Sequence, residues 1–489
     1  MSIRVYNTMI RAKEELVPRE AGKITMYVCG PTVYNYIHIG NARTFLNFDM
    51  IRRYLERRGY EVTFAQNITD VDDKIINKAK EQGVPPEALA EKYRVAFEED
   101  MAALGVKPPD IAPRATKHVA DMLEVVKRLV DSGYAYASEG DVYFEVDKFE
   151  GYGNLSRRAL DEQQHIPTGG PEVERKRGSW DFALWKAAKP GEPSWDSPWG
   201  PGRPGWHIEC STMSMKYLEE GFDIHGGGLD LVFPHHENEI AQAEAYSGGR
   251  FARYWMHSGM LNIDLEKMSK SLGNIKALRD VLAEHDAATV RMLMLGTHYR
   301  SQLNFSDESL NDARASLERI SNCRFNLEDV ISRSEGAKED TARIDRENTL
   351  VDYLKDARLK FLEHMDDDFN SAAALGVLFE VIRETNTYTS EAGAAGVFCS
   401  RHILMECQKT IDEMCAYVGL FQQSPVVTTT PAVDAGPTRE ELIDLLLQVR
   451  QAARDMKSFQ LSDRVRDGLA DLGVRVEDVE DGYRWRFER

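Results

Sequence analysis

The sequence predicts an α/β protein with a parallel sheet in its first part, then a helical region, then a small α+β module. Three patterns support this prediction. Residues 24–64 read as strand, helix and strand, helical spacing of apolar residues fills most of 308–420, and a polar, proline-containing linker at 422–437 precedes 52 further residues. Two strands joined through a helix are expected to pair in parallel, because parallel strands need a crossover connection.

The first strand is expected at 24–29, where the run ITMYVC is mostly apolar, and the turn 30–32 follows it. Apolar residues at helical spacing then predict a helix over 41–58, which Gly59 ends, and 62–64 begins the second strand. Open parallel sheets bind their ligands at the carboxyl ends of the strands, where each strand leads into its helix. We therefore expect a binding site beside the turn.

The rest of the chain is divided by its own start and stop signals. Residues 85–132 read as one helical stretch that opens at Pro85-Pro86 and stops at Gly133. Further elements are short strands at 134–137 and 142–146, an irregular Gly-, Pro- and Trp-rich segment at 155–204, a strand at 222–224, a triple glycine, a helix from Pro234 and a hairpin turning at Asp481-Gly482. The predicted organisation is an α/β domain at 1–307 with an insertion at roughly 95–204, a helical domain at 308–421, the linker 422–437 and a small domain at 438–489.

Composition limits the class of protein. The 489 residues are 42% hydrophobic and 29% charged, which is ordinary for a globular protein and excludes wholesale disorder. No apolar run reaches the roughly 18 residues that span a membrane, and the start of the chain lacks the apolar core of a secretory signal. Six scattered cysteines without a C-x-x-C pair argue against a disulfide framework. We expect a cytoplasmic protein with no membrane partner.

Charge leaves a nucleic-acid partner open. Lysine and arginine total 61 against 80 aspartate and glutamate residues, so the formal net charge is −19. Such a charge argues against binding a polyanion, because phosphate binding favours a basic surface. Arg52, Arg53, Arg57 and Arg58 nevertheless lie within seven residues. A local patch of this kind can bind RNA on an acidic protein.

The motif His38-Ile39-Gly40-Asn41 lies in the connection between the first predicted strand and the helix that follows it. A helix N-terminus offers unpaired N–H groups and a positive dipole end, which suit phosphate. Gly40 would let a purine or a phosphate approach the backbone, and a histidine there can donate to developing negative charge. Taken alone, the tetrapeptide fits a simple turn with a satisfied histidine at least as well.

A second motif, Lys267-Met268-Ser269-Lys270-Ser271, offers two ammonium groups and two hydroxyls. We call the segment 267–271 the lysine loop. Such a loop could clamp a triphosphate as charge builds on leaving pyrophosphate. By charge alone, a solvated loop is the better explanation.

Together, and in this order, the two motifs resemble the signature motifs of class I aminoacyl-tRNA synthetases. The strings CGPTVYNYIHIGNARTF, NITDVDDKI, GWHIECS, FDIHGGGLDL and FPHHENEIAQ are similar to the cysteinyl-tRNA synthetase family within that class, and the resemblance runs from about residue 5 to the terminal GYRWR. It implies a Rossmann-like catalytic domain, activation of L-cysteine by ATP and Mg²⁺, and transfer of the cysteine to tRNA(Cys). It also implies a monomer whose helical and C-terminal parts recognise the anticodon end of the tRNA.

The resemblance also assigns roles to individual residues. The catalytic residues would be His38, Asn41, Lys267 and Lys270, and ATP would bind to Pro31, Thr32, His38, Gly40, Asn41, Lys267, Met268, Ser269, Lys270 and Ser271. Asn41 stands where the class commonly has histidine. An asparagine still donates a hydrogen bond, so the activity is expected to persist.

Cys29, Cys210, His235 and Glu239 form a candidate metal site. His235 and Glu239 are four residues apart on the helix expected from Pro234, so both side chains should leave one face. Two thiolates, an imidazole and a carboxylate suit four-coordinate zinc. The cysteines are 181 residues apart, and this spacing alone leaves open that they are core residues. The resemblance implies one Zn²⁺ per chain, held by these four residues.

A metal at this place would have a purpose. Packing differences in a pocket discriminate between substrates as similar as cysteine, serine and alanine by only about 10- to 200-fold. Accurate translation requires discrimination on the order of 10⁴–10⁵. A zinc ion that binds the substrate sulfur would use the preference of the metal for soft ligands. By resemblance, Trp206 would lie beneath the substrate side chain with His225 near it, Asp230 would hold the ammonium and Thr69 the carboxylate.

Two other functions remain open at this point. The related ligase that joins cysteine to an amino-sugar in mycothiol synthesis has a similar catalytic core, but it lacks a C-terminal domain like the one expected here. A non-catalytic RNA-binding paralogue would be expected to have lost metal ligands or the lysine loop, and this chain keeps both.

Overall fold

The computed structural model describes residues 2–158, 175–264, 266–267, 275–334, 344–395, 399–421, 439–456, 458–472, 474–479 and 482–487. These residues form two compact units, Met1–Pro425 and Val426–Arg489. Four residues of the lysine loop, Met268, Ser269, Lys270 and Ser271, lie outside the described residues, and so does the linker 422–437.

The strands in chain order are β1 Arg4–Asn7, β2 Ala12–Glu15, β3 Lys23–Val28, β4 Glu61–Gln66, β5 Ala135–Ser138, β6 Asp141–Phe144, β7 Phe182–Ala187, β8 Gly202–Pro204, β9 Phe222–Gly228, β10 Ala252–Ser258, β11 Leu261–Ile263, β12 Glu266–Lys267, β13 Leu303–Phe305, β14 Val474–Val479 and β15 Gly482–Phe487. The α-helices are α1 Ile39–Arg57, α2 Asp73–Gln82, α3 Pro86–Ala103, α4 Val119–Asp131, α5 Trp206–Leu218, α6 Glu237–Ser247, α7 Leu278–Glu284, α8 Ala287–Leu295, α9 Asp307–Arg333, α10 Ile344–Asp366, α11 Ser371–Ala395, α12 Arg401–Tyr417, α13 Arg439–Asp455 and α14 Phe459–Asp471.

A four-stranded parallel sheet forms the centre of the first unit, in the order β10-β9-β3-β4. The prediction of a Rossmann-like α/β fold is confirmed. Helix α1 connects β3 to β4 and buries one apolar face, with Phe45, Phe48, Ile51 and Leu55 all inaccessible or nearly so. It begins two residues earlier than the periodicity predicted, because His38 caps its N-terminus.

The prediction of one helical stretch over 85–132 is wrong. Helix α3 does open at Pro86, but it ends at Ala103, and the chain then runs along the edge of β4 before α4 begins. The amides of Gln66, at the end of β4, and of Ile68 donate to the carbonyls of Ile111 and Pro113, which lie in this connecting segment. A helix cannot continue through Pro108-Pro109, and the open sheet edge supplies the hydrogen-bond partners that the extended chain needs.

The expectation that 155–204 is irregular is also wrong in part. Strands β7 and β8 lie within it and join β5 and β6 in an antiparallel sheet of order β5-β6-β7-β8. The strand predicted at 222–224 extends through the triple glycine to Gly228, and the helix expected from Pro234 follows a kink at Phe233, whose backbone is extended, and leads into α6. Strand β8, with the sequence GRP, is too short and too rich in glycine and proline to be recognised before its partner is known. Strand β7 has six residues without glycine or proline, and sequence reasoning missed it.

Helices α9 to α12 extend the apolar core of the sheet without interruption, through residues such as Ile320, Leu354, Leu378 and Ile411. The residues of the predicted catalytic and helical domains therefore lie in one compact unit, and their division at residue 307 stays a prediction. The second unit contains α13, α14 and the hairpin β14–β15, around a small core of its own. Asp481, part of the predicted hairpin turn, lies outside the described residues. No helix of the described chain is long and apolar enough to cross a membrane.

Candidate functional site

The site lies at the carboxyl ends of the parallel strands, beside the turn that follows β3. Gly30 allows the ends of β3 and β4 to close together, since a Cβ at this position would overlap the carbonyl oxygen of Asn67. A pocket of about 360 Å³ opens here. Its lining combines the turn, the start of α1 and the end of β10: Cys29, Gly30, Pro31, Thr32, Tyr34, Asn35, Tyr36, Ile37, His38, Gly40, Asn41, Thr44, Phe45, Lys74, Trp206, Gly228, Asp230, Leu231, Ser258, Gly259, Met260 and Leu261.

Four side chains that the sequence predicts as metal ligands meet at the base of this region. Cys29 follows β3, Cys210 lies on α5, His235 is in the turn just before α6 and Glu239 is on α6. All four are buried, and their ligand atoms lie within 4.8 Å of one another. The strand and the two helices therefore bring together residues that are far apart in the sequence, in a cluster that could hold a metal ion.

The distances between these donors fit a shared tetrahedral zinc. With Zn–S bonds near 2.3 Å and Zn–N and Zn–O bonds near 2.0 Å, the donors should be separated by about 3.8 Å for S–S, about 3.5 Å for S–O and about 3.3 Å for N–O. The structure has 3.8 Å between Cys29 Sγ and Cys210 Sγ, 3.4 Å between Cys29 Sγ and Glu239 Oε1, and 3.0 Å between His235 Nε2 and Glu239 Oε1. Each distance agrees with its expected value to within about 0.3 Å.

A second group of donors, Cys29, His225, His236 and Glu239, also lies within 4.8 Å. It fits less well, because His236 Nε2 stands 4.0 Å from Glu239 Oε1, further than two ligands of one zinc ion. His225 Nε2 lies 2.7 Å from the other carboxylate oxygen, Glu239 Oε2. This second group also contains only one thiol. The set with two cysteines is therefore the better candidate for a thiophilic metal.

The charges in the cluster are arranged to receive a cation. Hydrogen bonding from the Cys29 thiol lowers the pKa of Cys210 to about 6, although burial opposes the shift, while burial and the neighbouring Cys210 hold the pKa of Cys29 well above its usual value. Burial would raise the pKa of Glu239, but His225 and His235 hold it well below the usual value. A thiolate and a carboxylate are thus present near neutral pH. Burial alone would lower the pKa of His235, but the charge of Glu239 raises it to about 10. Binding of a metal would therefore release the proton on Cys29 and one proton of His235.

Two further histidines form hydrogen bonds with the candidate metal ligands. His207 Nδ1 lies 2.9 Å from His235 Nδ1, and burial together with the charge of His235 holds the pKa of His207 well below its usual value. A neutral His207 can accept a hydrogen bond from His235 and orient its Nε2 toward the cluster. His225 is fully buried, stacks on Trp255 at 4.4 Å and holds Glu239. Sequence reasoning left His207 without a role.

His225 was expected beside the substrate, and the structure places it behind Glu239, outside the pocket lining. Trp206 does line the pocket, and its ring stacks on that of His235 at 4.2 Å. The same face of the pocket carries Lys74, whose ammonium lies 5.5 Å from the Trp206 ring centre. Sequence reasoning assigned no role to Lys74.

We expect His225→Ala to weaken zinc binding by about 10- to 100-fold, because it removes the hydrogen bond that holds the second oxygen of Glu239. Competition against a chromophoric chelator measures the affinity. His118→Ala is the matched control, since His118 is also buried and hydrogen-bonded but lies on the insertion, against Tyr217. Equal zinc affinity in the two variants would show that His225 does not support the site.

His38 and Asn41 form a reciprocal capping box at the start of α1. The Asn41 N–H donates to His38 Nδ1 at 3.1 Å, and the His38 N–H donates to Asn41 Oδ1 at 3.4 Å. Because Nδ1 accepts, the proton of the neutral imidazole is on Nε2, which makes that nitrogen a donor. Asn41 therefore acts as an acceptor here. Both residues line the pocket.

The backbone brings the two predicted motifs together. Ile39 donates its N–H to the carbonyl of Lys276 at 3.1 Å, and Leu278 donates to the carbonyl of Ile37 at 2.9 Å. On the other side of the lysine loop, the β12 strand that contains Lys267 pairs with β11 beside the pocket. The described residues on either side of 268–274 are therefore held in place, Lys276 at the N-terminus of α1 and Lys267 by pairing with β11.

Of the two other predicted pocket residues, Asp230 lines the pocket and Thr69 does not. Thr69 follows β4 beside Thr32, and its hydroxyl donates to Glu209 Oε2 at 2.9 Å and accepts from Asn67. Burial raises the pKa of Glu209 well above its usual value. The sequence offered no signal for Glu209 beyond its position next to Cys210.

Comparison with known proteins places the chain among tRNA synthetases. The model of the class I (C) tRNA synthetase catalytic domain matches residues 15–315, and that of the DALR domain matches 360–422. The chain is 49% identical over 493 aligned residues to a cysteine–tRNA ligase of Pelotomaculum thermopropionicum, covering 99% of both chains. It is 48% identical to the corresponding ligase of Geobacter metallireducens, covering 100% of both.

Solved structures agree with the fold. Methionyl-tRNA synthetase of Mycobacterium tuberculosis, in complex with methionyl-adenylate, superposes with a TM-score of 0.61 at 17% identity, over 81% of this chain and 90% of that one. A leucyl-tRNA synthetase ternary complex of Agrobacterium radiobacter gives a TM-score of 0.60 at 13% identity, over 84% and 87%. At these identities the likeness concerns the fold.

Proposed function

The chain belongs to the cysteine–tRNA ligase family of class I tRNA synthetases, and from this premise we propose how its own residues select cysteine, activate it and transfer it to tRNA(Cys). The activity is an ATP-dependent ligation of L-cysteine to the 3′ end of the tRNA. The observation that carries the proposal is that four metal-ligand side chains meet beside a pocket whose other wall is the His38–Asn41 helix start.

The reaction has two steps. In the first, a carboxylate oxygen of cysteine attacks the α-phosphorus of ATP, the bond to the bridging oxygen breaks, and cysteinyl-adenylate and pyrophosphate form. In the second, the 2′-hydroxyl of the terminal adenosine attacks the acyl carbon, its proton is lost and AMP leaves. The protein supplies no nucleophile to either step, so its contribution is positioning and charge stabilisation.

The start of α1 would bind the phosphates. His38 presents the Nε2–H that its capping role leaves on that nitrogen, and Gly40 allows close approach to the backbone at the positive end of the helix. Lys267 and Lys270, with Ser269 and Ser271, would meet the charge that develops on pyrophosphate, and Mg²⁺ would neutralise part of it. The hydrogen bonds between 37–39 and 276–278 hold the residues that follow the lysine loop at the start of α1, which supports this assignment.

Cys29, Cys210, His235 and Glu239 would hold one Zn²⁺, with the donor distances as the supporting observation. When bound, zinc supplies a thiophilic Lewis acid, for which the hydroxyl of serine is a poor ligand at neutral pH. Trp206, stacked on His235, forms the apolar wall of the pocket next to it. His207 and His225 keep the imidazole and the carboxylate in position.

Asp230 would hold the ammonium of the substrate, because it lines the same pocket as Trp206 and Cys29 and carries a carboxylate. Thr69 would meet the carboxylate only if its hydrogen bond to Glu209 were given up. We propose that Asp230 orients the amino acid, and that the family's monomeric state applies to this chain as well.

The deciding experiment is cysteine-dependent exchange of pyrophosphate into ATP, followed by charging of tRNA(Cys) with the same preparation. Both activities are expected. Exchange without charging of tRNA would favour a ligase with another acceptor, such as an amino-sugar. Absence of both activities in a folded, zinc-loaded protein would favour a non-catalytic paralogue.

Ending the chain at residue 421 is expected to leave pyrophosphate exchange nearly intact and to lower kcat/KM for tRNA charging by about tenfold or more, since about 1.4 kcal/mol of lost contact energy is sufficient. The described residues before and after the linker form separate compact units, so the first should fold alone. Residues 438–489 carry 10 basic and 12 acidic side chains, so placed contacts must recognise the tRNA. Unchanged charging by the shortened enzyme would exclude a role for this unit in tRNA recognition.

A further inference from the structure

Arg43 is buried on α1, one turn after the His38 cap, and none of its surface is accessible. Its guanidinium donates to four main-chain carbonyls: Nη1 to Gly259 at 2.9 Å and Met260 at 2.6 Å, and Nη2 to Ser301 at 2.5 Å and His298 at 3.4 Å. Within the described residues these acceptors are all neutral, and Nε has no hydrogen-bond partner. Burial lowers the pKa of Arg43 to about 10, so it remains a cation at neutral pH.

An arginine in this state is unusual on this helix. Arg52 and Arg53, also buried on α1, pair with carboxylates, Arg52 with Glu56 and Asp110, and Arg53 with Asp49. Burying a charge without a charged partner is costly, and here the four carbonyl acceptors are what compensate it. The geometry that depends on Arg43 is that of the two loops it joins.

The first of these loops connects β10 to β11 and forms a wall of the pocket, through Gly259 and Met260. The second contains 298–301 and leads into β13, which pairs in parallel with β11. The two loops touch closely: Gly259 donates its N–H to the carbonyl of Tyr299 at 2.7 Å, and a Cβ on Gly259 would overlap the carbonyls of Arg300 and Ser301. One guanidinium therefore joins both loops to the helix that begins at His38.

The lysine loop leaves from this same structure. Strand β11 directly follows Met260 and pairs with β12, which contains Lys267. The position of β11 relative to α1 thus sets where the first lysine of the loop stands relative to His38. Displacements of about 1 Å in such groups can change a rate by about 10²-fold, because the reacting groups must meet in one geometry.

We propose that Arg43 is a positioning residue for adenylate formation: by holding the Gly259–Met260 and 298–301 loops to α1, it aligns the base of the lysine loop with the His38 end of the pocket. The inference rests on the proposed function. Arg43 acts only through these carbonyls, since it does not line the pocket. Cysteine binding would depend on the metal cluster, to which Arg43 makes no hydrogen bond, and should be independent of Arg43.

The test compares Arg43→Gln with Arg52→Gln, which removes a buried arginine from the same helix without touching either loop. For Arg43→Gln we expect kcat of cysteine-dependent pyrophosphate exchange to fall by about 10²-fold, and the cysteine Kd from calorimetric titration to stay within about twofold of the wild-type value. Arg52→Gln should lower the melting temperature but change kcat by less than about twofold.

Equal kcat values in the two variants, or a parallel loss of cysteine binding in Arg43→Gln, would overturn the proposal and leave Arg43 a structural residue. Should Arg43→Gln not fold, Arg43→Lys replaces it, because an ammonium keeps the charge but cannot reach both loops with the planar geometry of a guanidinium. The same separation of kcat from cysteine affinity is expected. Wild-type enzyme assayed in parallel distinguishes the two failures, since absence of exchange there would contradict the proposed function itself.

Discussion

Replacing Cys210 by alanine is expected to remove the bound zinc and to reduce discrimination between cysteine and serine to about 10- to 200-fold, the range that packing alone provides, from on the order of 10⁴–10⁵. Cys210 supplies one of the two thiols of the cluster, and the hydrogen bond from Cys29 lowers its pKa to about 6, which favours the thiolate form that a metal binds. The ratio of kcat/KM for cysteine to that for serine in pyrophosphate exchange, together with metal analysis, checks the prediction.

Cys323→Ala is the control for this experiment. Cys323 is equally buried, but it packs among the helices that follow the sheet, away from the cluster, so this variant should keep both zinc and selectivity. A metal-free Cys210→Ala enzyme that still rejected serine by 10⁴-fold or more would show that pocket shape achieves the selection, contrary to the magnitude expected from packing.

Substitution of cobalt for zinc tests the same site without relying on activity. Cobalt has visible transitions that respond to sulfur ligands. Cysteine should produce a new thiolate-to-metal band, whereas serine and alanine should leave the spectrum unchanged. A spectrum indifferent to cysteine in an enzyme that still forms the adenylate would show a structural metal, as four protein ligands normally imply.

Lys270→Ala is expected to slow adenylate formation by about 30- to 1,000-fold, which corresponds to about 2–4 kcal/mol of transition-state stabilisation. The reason is that the ammonium would meet charge that develops only as pyrophosphate leaves, so cysteine affinity should hardly change. Single-turnover formation of the adenylate measures the effect. Lys355→Ala, an exposed lysine on α10 paired with Asp352, is the control and should react at the wild-type rate. A wild-type rate in Lys270→Ala would remove the lysine loop from the mechanism.

Local patterns in the sequence were sufficient for much of the fold. The apolar run before Cys29, the helical spacing after it and the start of α3 at Pro86 are properties of neighbouring residues, and the structure has these elements. The same local reasoning failed where distant segments decide the structure. The segment around Ile111 is extended because it pairs with the edge of β4, and β7 and β8 form because each finds a partner strand.

The candidate site shows the same division. Residue types and the resemblance to a family were enough to name Cys29, Cys210, His235 and Glu239, but the sequence alone could not bring cysteines 181 positions apart to a separation of 3.8 Å. Sequence reasoning placed His225 beside the substrate, whereas the structure places it against Glu239. It also gave no sign that His207 would hydrogen-bond to His235, or that Arg43 would hold the Gly259–Met260 loop.

What the sequence by itself determined about this protein is its set of chemical groups and its local elements, because backbone conformation and periodicity act over a few residues. What only the tertiary structure decided is which of those groups face one another. Side chains such as His225 and Arg43 take their roles from buried hydrogen bonds to residues 14 and more than 200 positions away. Such bonds form only once packing has excluded water and brought each polar group up to its partners.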